Sequence, residues 1–371
     1  MKYDDSKVCL AWLASASLSP KVTAALLDCF ESPAELYSIF CSGKEKDIFN
    51  RLPKQALQIL KKNSQKEKML SFERIMKEEQ IDVFTIKNKK YPDQLTQIDE
   101  PPAIIFTQGD TDILCRRTVA VIGSRRASNK GLEATYKIAK ELSQSDVSVI
   151  SGLAYGIDSA AHRGCLDGSS PTAAVIGCGC DIIYPSGNDA LKEEILRKGG
   201  LILSEYAPGE QPLGWHFPFR NRMISALANA VIVMEARIKS GSMTTVRHAL
   251  DQGKEIFVYP GEAGTSWTEG NHQLLREGAT YFTSADDILE DMRWLDKKQD
   301  VLQNNDCSVN KAKLSPLGKK ILDCLSGGEM QFDKLCSVLH VQTAEMMSTL
   351  TVLQLDGLID ALPGKEYRIR Q

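Results

Sequence analysis

Thr118-Val119-Ala120-Val121-Ile122, running into Gly123-Ser124-Arg125-Arg126, decides the fold. An unbroken apolar and β-branched run with no polar alternation is a strand buried on both faces, as strands of a parallel sheet are. Beyond the glycine turn, Leu132, Thr135, Tyr136, Ala139 and Leu142 recur at helical spacing, and residues 148–150 form a second buried run. Strand, helix and strand make a βαβ unit. Runs over 172–176, 201–203, 231–234 and 255–259, ending in Gly or Ser and leading into helical stretches, repeat it. The expected architecture is α/β: a Rossmann-like, doubly wound, mostly parallel sheet over residues 86–295. In such sheets ligands bind at the carboxyl ends of the strands.

On the N-terminal side, residues 1–85 carry helical periodicity in Leu10, Trp12 and Leu13, in Val22, Leu26 and Leu27, and in Leu36 and Ile39. Ser-Pro pairs at 19–20 and 32–33 punctuate it, so a small helical domain is expected. A helix-hairpin-helix would need a glycine-rich hairpin against phosphate. Leu18-Ser19-Pro20 stands there instead, which favours a packing module. Residues 296–312 are polar and aperiodic and read as a linker. Residues 313–371 follow winged-helix order, with helices over 317–325, 332–339 and 343–355 and a hairpin around Pro363-Gly364-Lys365. The third of these helices, the one that enters the major groove in such domains, carries no Arg or Lys. This domain is therefore expected to be dispensable for the main single-strand affinity and better suited to packing or a protein partner.

The 371 residues are 43% hydrophobic, ordinary for a folded globular chain, and carry a formal charge of −3. That balance excludes a chain-wide basic field, so a nucleic-acid site has to come from a local cluster of Arg and Lys. No basic segment followed by an apolar stretch opens the chain, and no apolar run is long enough to span a bilayer. A cytoplasmic protein with no membrane contact is expected. The ten cysteines form no paired CxxC framework, and Cys178 and Cys180 flank a single glycine. They read as reduced, mostly buried small residues and not as metal ligands.

Four stretches carry chemistry. After the first strand, Gly123-Ser124-Arg125-Arg126 has Arg125 where a dinucleotide fingerprint needs its second glycine. Exposed amides, a helix start and a positive side chain make a phosphate site of the charged kind instead. Ser151-Gly152-Leu153-Ala154-Tyr155-Gly156-Ile157-Asp158, continuing to His162, allows close approach of strand and helix. Neither Asp158 nor His162 has an evident nucleophile or metal partner, so structural roles are at least as well supported there. In Trp215-His216-Phe217-Pro218-Phe219-Arg220-Asn221-Arg222, aromatic faces alternate with Arg and Asn, the composition of a surface on which bases stack while the backbone is held. The same rings could also plug a loop, although the adjoining arginines favour a surface role. Lastly, Lys239-Ser240-Gly241-Ser242 opens a helix with small residues and a charge, yet lacks Walker spacing, so ATP hydrolysis is not supported.

Together these residues resemble the DNA-processing protein A family, also called DprA or Smf. Val119 to Arg125, Ser151 to Asp158 with His162, Gly177 to Asp181 before Tyr184-Pro185, Ser204-Glu205, Phe217-Pro218 with Arg220-Asn221-Arg222, Glu235-Ala236, Ser240 to Ser242 and Pro260-Gly261 occur in the family's order. The resemblance covers residues 80 to 292 strongly and the two appendages more loosely. It implies a cytoplasmic protein that binds single-stranded DNA, dimerises through its Rossmann-like domain and helps load the RecA recombinase during natural transformation. It implies no catalytic activity. The DNA site it implies comprises Gly123, Ser124, Arg125, Phe217, Arg220, Asn221, Arg222, Lys239, Ser240, Gly241 and Ser242. Two positions depart from the family pattern: Ala226 replaces a glycine and His272 an asparagine.

The rival function is nucleotide cleavage by a phosphoribohydrolase-like enzyme on a related sheet. Such enzymes carry PGGxGTxxE. The late strand here runs into Pro260-Gly261-Glu262-Ala263-Gly264-Thr265, without the double glycine or the following Glu spacing. A transcription regulator acting through the winged helix is a third reading, distinguished by tight duplex binding.

Overall fold

The buried runs assemble, in chain order, as β1 (Asp82–Thr85), β2 (Ile104–Gly109), β3 (Arg117–Ile122), β4 (Val147–Ser151), β5 (Thr172–Ile176), β6 (Leu201–Ser204), β7 (Ala230–Val233), β8 (Glu255–Val258) and β9 (Thr280–Tyr281). The computed structural model describes residues 5–44, 46–294, 316–325, 328–339, 341, 343–355, 359–362 and 366–369. The chain divides into two units, Met1–Asp296 and Lys297–Gln371. The stretch 296–312 expected as a linker lies outside the described residues, as do Pro363, Gly364 and Lys365.

In the first unit the strands form one sheet in the order β1-β2-β6-β5-β4-β3-β7-β8-β9. From β6 through β9 all neighbours are parallel, which bears out the expected doubly wound sheet. The exception is one edge, where β2 runs antiparallel to both β6 and β1. Strand order reverses between β3 and β7, so the loops after these two strands diverge and leave a crevice at their carboxyl ends.

Six short helices precede the sheet: α1 (Ser6–Ala14), α2 (Pro20–Asp28), α3 (Pro33–Ser42), α4 (Lys46–Phe49), α5 (Lys54–Asn63) and α6 (Lys66–Glu78), counted among the described residues. Ser19 and Ser32 start α2 and α3 as N-caps with proline at the first helical position, because proline lacks the N–H that would go unbonded there. Trp12 is fully buried, donates from Nε1 to the Leu60 carbonyl at 2.9 Å and meets Tyr37 edge-on at 5.2 Å. These helices share one core with the sheet, since Trp12, Leu60 and Phe72 belong to the same cluster as Phe106, Ile176 and Ile202. Strand β1, within residues 1–85, is itself paired to β2.

After α7 (Asp93–Thr96), the helices that flank the sheet are α8 (Asn129–Gln144), α9 (Ile157–Leu166), α10 (Asp189–Arg197), α11 (His216–Ala226), α12 (Gly241–Asp251), α13 (Glu269–Arg276) and α14 (Ala285–Asp291). Helices α9, α11 and α12 begin at the crevice.

The second unit comprises α15 (Pro316–Leu325), α16 (Phe332–Leu339), α17 (Thr343–Leu355) and a sheet of β10 (Met330–Gln331), β12 (Glu366–Ile369) and β11 (Ile359–Leu362), in that spatial order. Ile321, Leu335, Met346, Leu350 and Ile359 form its core. This is the winged-helix arrangement expected from the sequence, with β10 added.

No helix among the described residues is long and apolar enough to cross a membrane. Among the described cysteines, Cys9, Cys165, Cys178 and Cys180 are buried, Cys324 and Cys336 half-buried, and Cys29, Cys41 and Cys115 exposed, so fewer than half are fully inside, which corrects the expectation that most would be. Short loops and helix ends carry the exposed three, where apolar periodicity has no hold.

Candidate nucleic-acid interface

The turn after β3 is drawn tightly onto α9. A Cβ at Gly123 would sit 2.5 Å from Ile157 Cγ1, and Gly156 adopts φ +79° where a Cβ would lie 2.3 Å from the Ser124 carbonyl. Only glycine meets both conditions. Ser124 N–H donates to the Glu235 carbonyl at 2.7 Å, Ile157 N–H to the Ser124 carbonyl at 3.2 Å, and Ser242 Oγ to the Gly123 carbonyl at 2.8 Å. The ends of β3 and β7 and the starts of α9 and α12 are thereby tied together around one opening.

That opening is a cleft of about 530 Å³ lined by Gly123, Ser124, Arg125, Asp158, Tyr184, Gly214, Phe217, Pro218, Arg220, Asn221, Ser240, Gly241, Ser242 and Thr245. Arg125 is exposed, and its guanidinium carbon lies 5.2 Å from the centre of the Phe217 ring. Tyr184 stacks on the same ring at 5.1 Å with 28° between planes. A cation and two stacked rings thus share one wall. In the same lining, Ser240 is the N-cap of α12 but makes no side-chain capping bond, and its buried Oγ has no partner. The first-turn amides of α12 are left without a side-chain acceptor, at the end of the helix where the dipole is positive. Helix α11 also opens without a side-chain cap.

The floor is charged but internally balanced. Arg220, 4% exposed, donates from Nη1 to the carbonyls of Gly152 and Val175, while its Nε is buried without a partner. Burial lowers its pKa to about 10, against the opposing pull of the neighbouring Asp158 carboxylate. Asp158 accepts N–H bonds from Gly152 at 3.1 Å and Ala154 at 3.3 Å. Burial pushes its carboxyl upward, and the nearby Arg220 charge works against that. Arg220 is thus a buried strut whose Nε is left without an acceptor, whereas Arg125 is the exposed cation of the lining.

Sequence reasoning placed Gly123, Ser124, Arg125, Phe217, Arg220, Asn221, Ser240, Gly241 and Ser242 in one site, and the structure brings all of them to the cleft. Two others are not part of the lining. Arg222 is directed away, its guanidinium bonded to both Glu205 carboxylate oxygens at 2.8 and 2.7 Å and stacked over Phe219 at 3.8 Å. Lys239 stands exposed on the turn before α12, outside the lining. The 215–222 stretch is also not a surface ribbon, since most of it is the first turns of α11, with His216 fully buried under Tyr206 at 3.9 Å. Pro218 is compatible with this because the early N–H groups of a helix have no internal acceptor. Asp158 and Tyr184 line the cleft although sequence reasoning did not place them there. Their signal was position, one two residues after Gly156 and the other just before Pro185.

The family model described as DNA recombination-mediator protein A matches residues 82–293, the whole parallel sheet and its cleft. The chain belongs to that family. The model described as the DprA winged helix domain matches residues 308–365. Among relatives of the recombination-mediator family, DNA processing protein DprA of Streptococcus pneumoniae is 41% identical over 211 residues, covering 57% of this chain and 74% of that protein. The crystal structure of the S. pneumoniae protein superimposes with a TM-score of 0.62 at 35% identity, over 75% of this chain and 95% of that one. A structure of DNA processing protein A from Helicobacter pylori, described for its single-stranded DNA binding mode, has a TM-score of 0.52 at 32% identity, over 57% of this chain and 96% of that one.

Proposed function

We propose that the cleft between the ends of β3 and β7 binds single-stranded DNA with little sequence preference. The observation that carries this reading is the lining where exposed Arg125 lies over Phe217 and Tyr184 stacks on the same ring, in one cleft with the uncapped start of α12. Phosphate is drawn to the amides and the guanidinium, and bases of any sequence stack on the rings. Kinship with the H. pylori protein supports the same ligand. Membership of a recombination-mediator family supports the wider role: a homodimeric cytoplasmic protein that protects incoming strands and helps load RecA during natural transformation. Lys239 and Arg222 enter this proposal differently, Lys239 as a peripheral phosphate contact and Arg222 as the support of α11.

Arg125→Ala should weaken binding to all sequences alike. It should also flatten the salt dependence of affinity by about 0.7 for each phosphate that the variant no longer neutralises. Titrations of a labelled oligonucleotide at several salt concentrations check both, and an unchanged slope and affinity would remove Arg125 from the site.

We also propose that the cleft is not catalytic. Asp158 is the acid in its lining, and it is buried, tied to two backbone amides and set beside the Arg220 charge, an arrangement that holds a carboxylate in place and does not present it to a substrate. Incubation with nucleoside monophosphates should release no free base by chromatography. Release that Arg125→Ala abolishes would turn the cleft into the active site of a nucleotide-cleaving enzyme.

A further inference from the structure

A second aromatic space lies on the other side of α11. Trp215, Phe219 and Tyr206 form one wall of a groove of about 220 Å³, and Leu18 and Pro20 of the N-terminal helical segment line it as well. Trp215 is 55% exposed and Leu213 beside it 46%. The indole is nonetheless held in a fixed orientation. The His216 ring lies 4.2 Å away at 83°, and Tyr206 lies 6.4 Å away at 76°. A large ring oriented by its neighbours yet left in water is a ready stacking platform.

The groove and the cleft flank the start of α11, where Gly214, Phe217 and Pro218 line the cleft and Trp215 and Phe219 the groove. Residues two apart on a helix point to opposite sides, so Phe217 enters the cleft while Trp215 and Phe219 enter the groove. Between them Gly214 lines the cleft, with open space where a Cβ would be. A strand leaving the cleft can cross the backbone there and arrives at Trp215. What the groove offers suits a base and not a phosphate. Its rings and apolar side chains are interspersed with the hydroxyls of Ser17, Ser19 and Thr23, and its charged side chains are the carboxylates Glu100 and Glu205, the latter paired with Arg222, which repel a phosphate. We propose that this groove stacks the nucleobase next to those held in the cleft, making the helical N-terminal segment part of the single-strand footprint. The proposal rests on the single-strand reading of the cleft.

The test is the affinity of the full chain for labelled oligothymidylates of increasing length, by fluorescence anisotropy, with Trp215→Ala, Trp215→Phe and Leu18→Glu. Strands short enough to fill only the cleft should bind all variants like the parent. For longer strands Trp215→Ala should lose about 5- to 150-fold, the range of one base–aromatic stack, while Trp215→Phe keeps most of the affinity. Leu18→Glu on the N-terminal segment should lose affinity at the same strand length, and it decides the matter if Trp215→Ala fails to fold by circular dichroism. Parent-like binding of both variants at every length overturns the proposal, and the cleft reading then stands if Arg125→Ala still weakens binding. If Arg125→Ala is silent as well, the cleft reading fails too. A change in sedimentation mass for Trp215→Ala with unchanged affinity also overturns the proposal, because the groove would then be a contact between copies of the chain.

Discussion

Replacing Arg222 with alanine should lower the folding stability of the first unit by about 3–5 kcal/mol, although the residue does not line the cleft. Its side chain is 6% exposed and its partner Glu205 8% exposed, and the two meet through both carboxylate oxygens. The same guanidinium donates to the carbonyls of Glu100, at 3.0 Å, and Phe219, at 2.9 Å. Arg222 therefore ties α11 to the end of β6 and to the loop before β2. Truncation would leave the Glu205 charge buried without a partner, and that unpaired charge accounts for the size of the loss. Removing both charges together, as Glu205→Leu with Arg222→Met, should recover most of it, since a well-packed apolar pair avoids the desolvation cost. Urea unfolding of the single and double variants separates the cases. A single variant close to the parent would mean that water reaches Glu205 and the pair is no strut.

Acidification from pH 7 to pH 4 should withdraw about 3 kcal/mol of stability through His162 alone. The ring is fully buried, with Nδ1 2.8 Å from Thr172 Oγ1. Because the Thr172 hydroxyl donates to the Val149 carbonyl at 2.7 Å, it accepts from His162 Nδ1–H, and Nε2 is left buried without a partner. A second proton would go to that nitrogen. Burial, and then the charge of Arg220, lower the pKa to about 3. The sign follows: the unfolded chain takes up the proton first, near its ordinary pKa of about 6.5. The contribution is therefore complete above that pH and is lost as pH falls through the window toward about 3. The neighbouring Asp158, raised by burial, works in the opposite direction. His162→Leu keeps Asp158 and removes the imidazole, so the parent should lose stability relative to the variant as pH falls through this window. A flat difference would show that the ring is not held neutral in the folded state.

The parallel strands were legible because burial on both faces leaves runs such as Val119 to Ile122 with no polar residue to confuse the period. The antiparallel edge was not. Ile104-Ile105-Phe106 follows two prolines and reads equally as the end of a loop, and β1 sits directly after a helix without a glycine break. In the cleft, glycines and small hydroxyl residues announced themselves, since only close backbone approach requires them at Gly123 and Gly156. The two arginines of the 220–222 stretch were indistinguishable in the sequence. Their separation depends on α11 turning one toward the cleft and the other toward Glu205, whose distance along the chain hides the pairing. Lys239 looked like the anchor of its turn by charge alone, and charge says nothing about which way an exposed side chain points.

The antiparallel edge also constrains the order in which the protein can be completed during synthesis. Gly109 of β2 pairs with Leu201 of β6, about ninety residues later, and Ile202 of β6 joins Phe106 in the core beneath the N-terminal helices. A ribosome delivers those helices and the β1–β2 hairpin long before their partner strand emerges. Until then one side of β2 is an unpaired edge carrying Ile104, Ile105 and Phe106, the kind of surface on which strands from other molecules add. The molecule is most vulnerable while it is incomplete, and a chain interrupted between β2 and β6 is a target for chaperones and proteases before it is a protein that can bind anything.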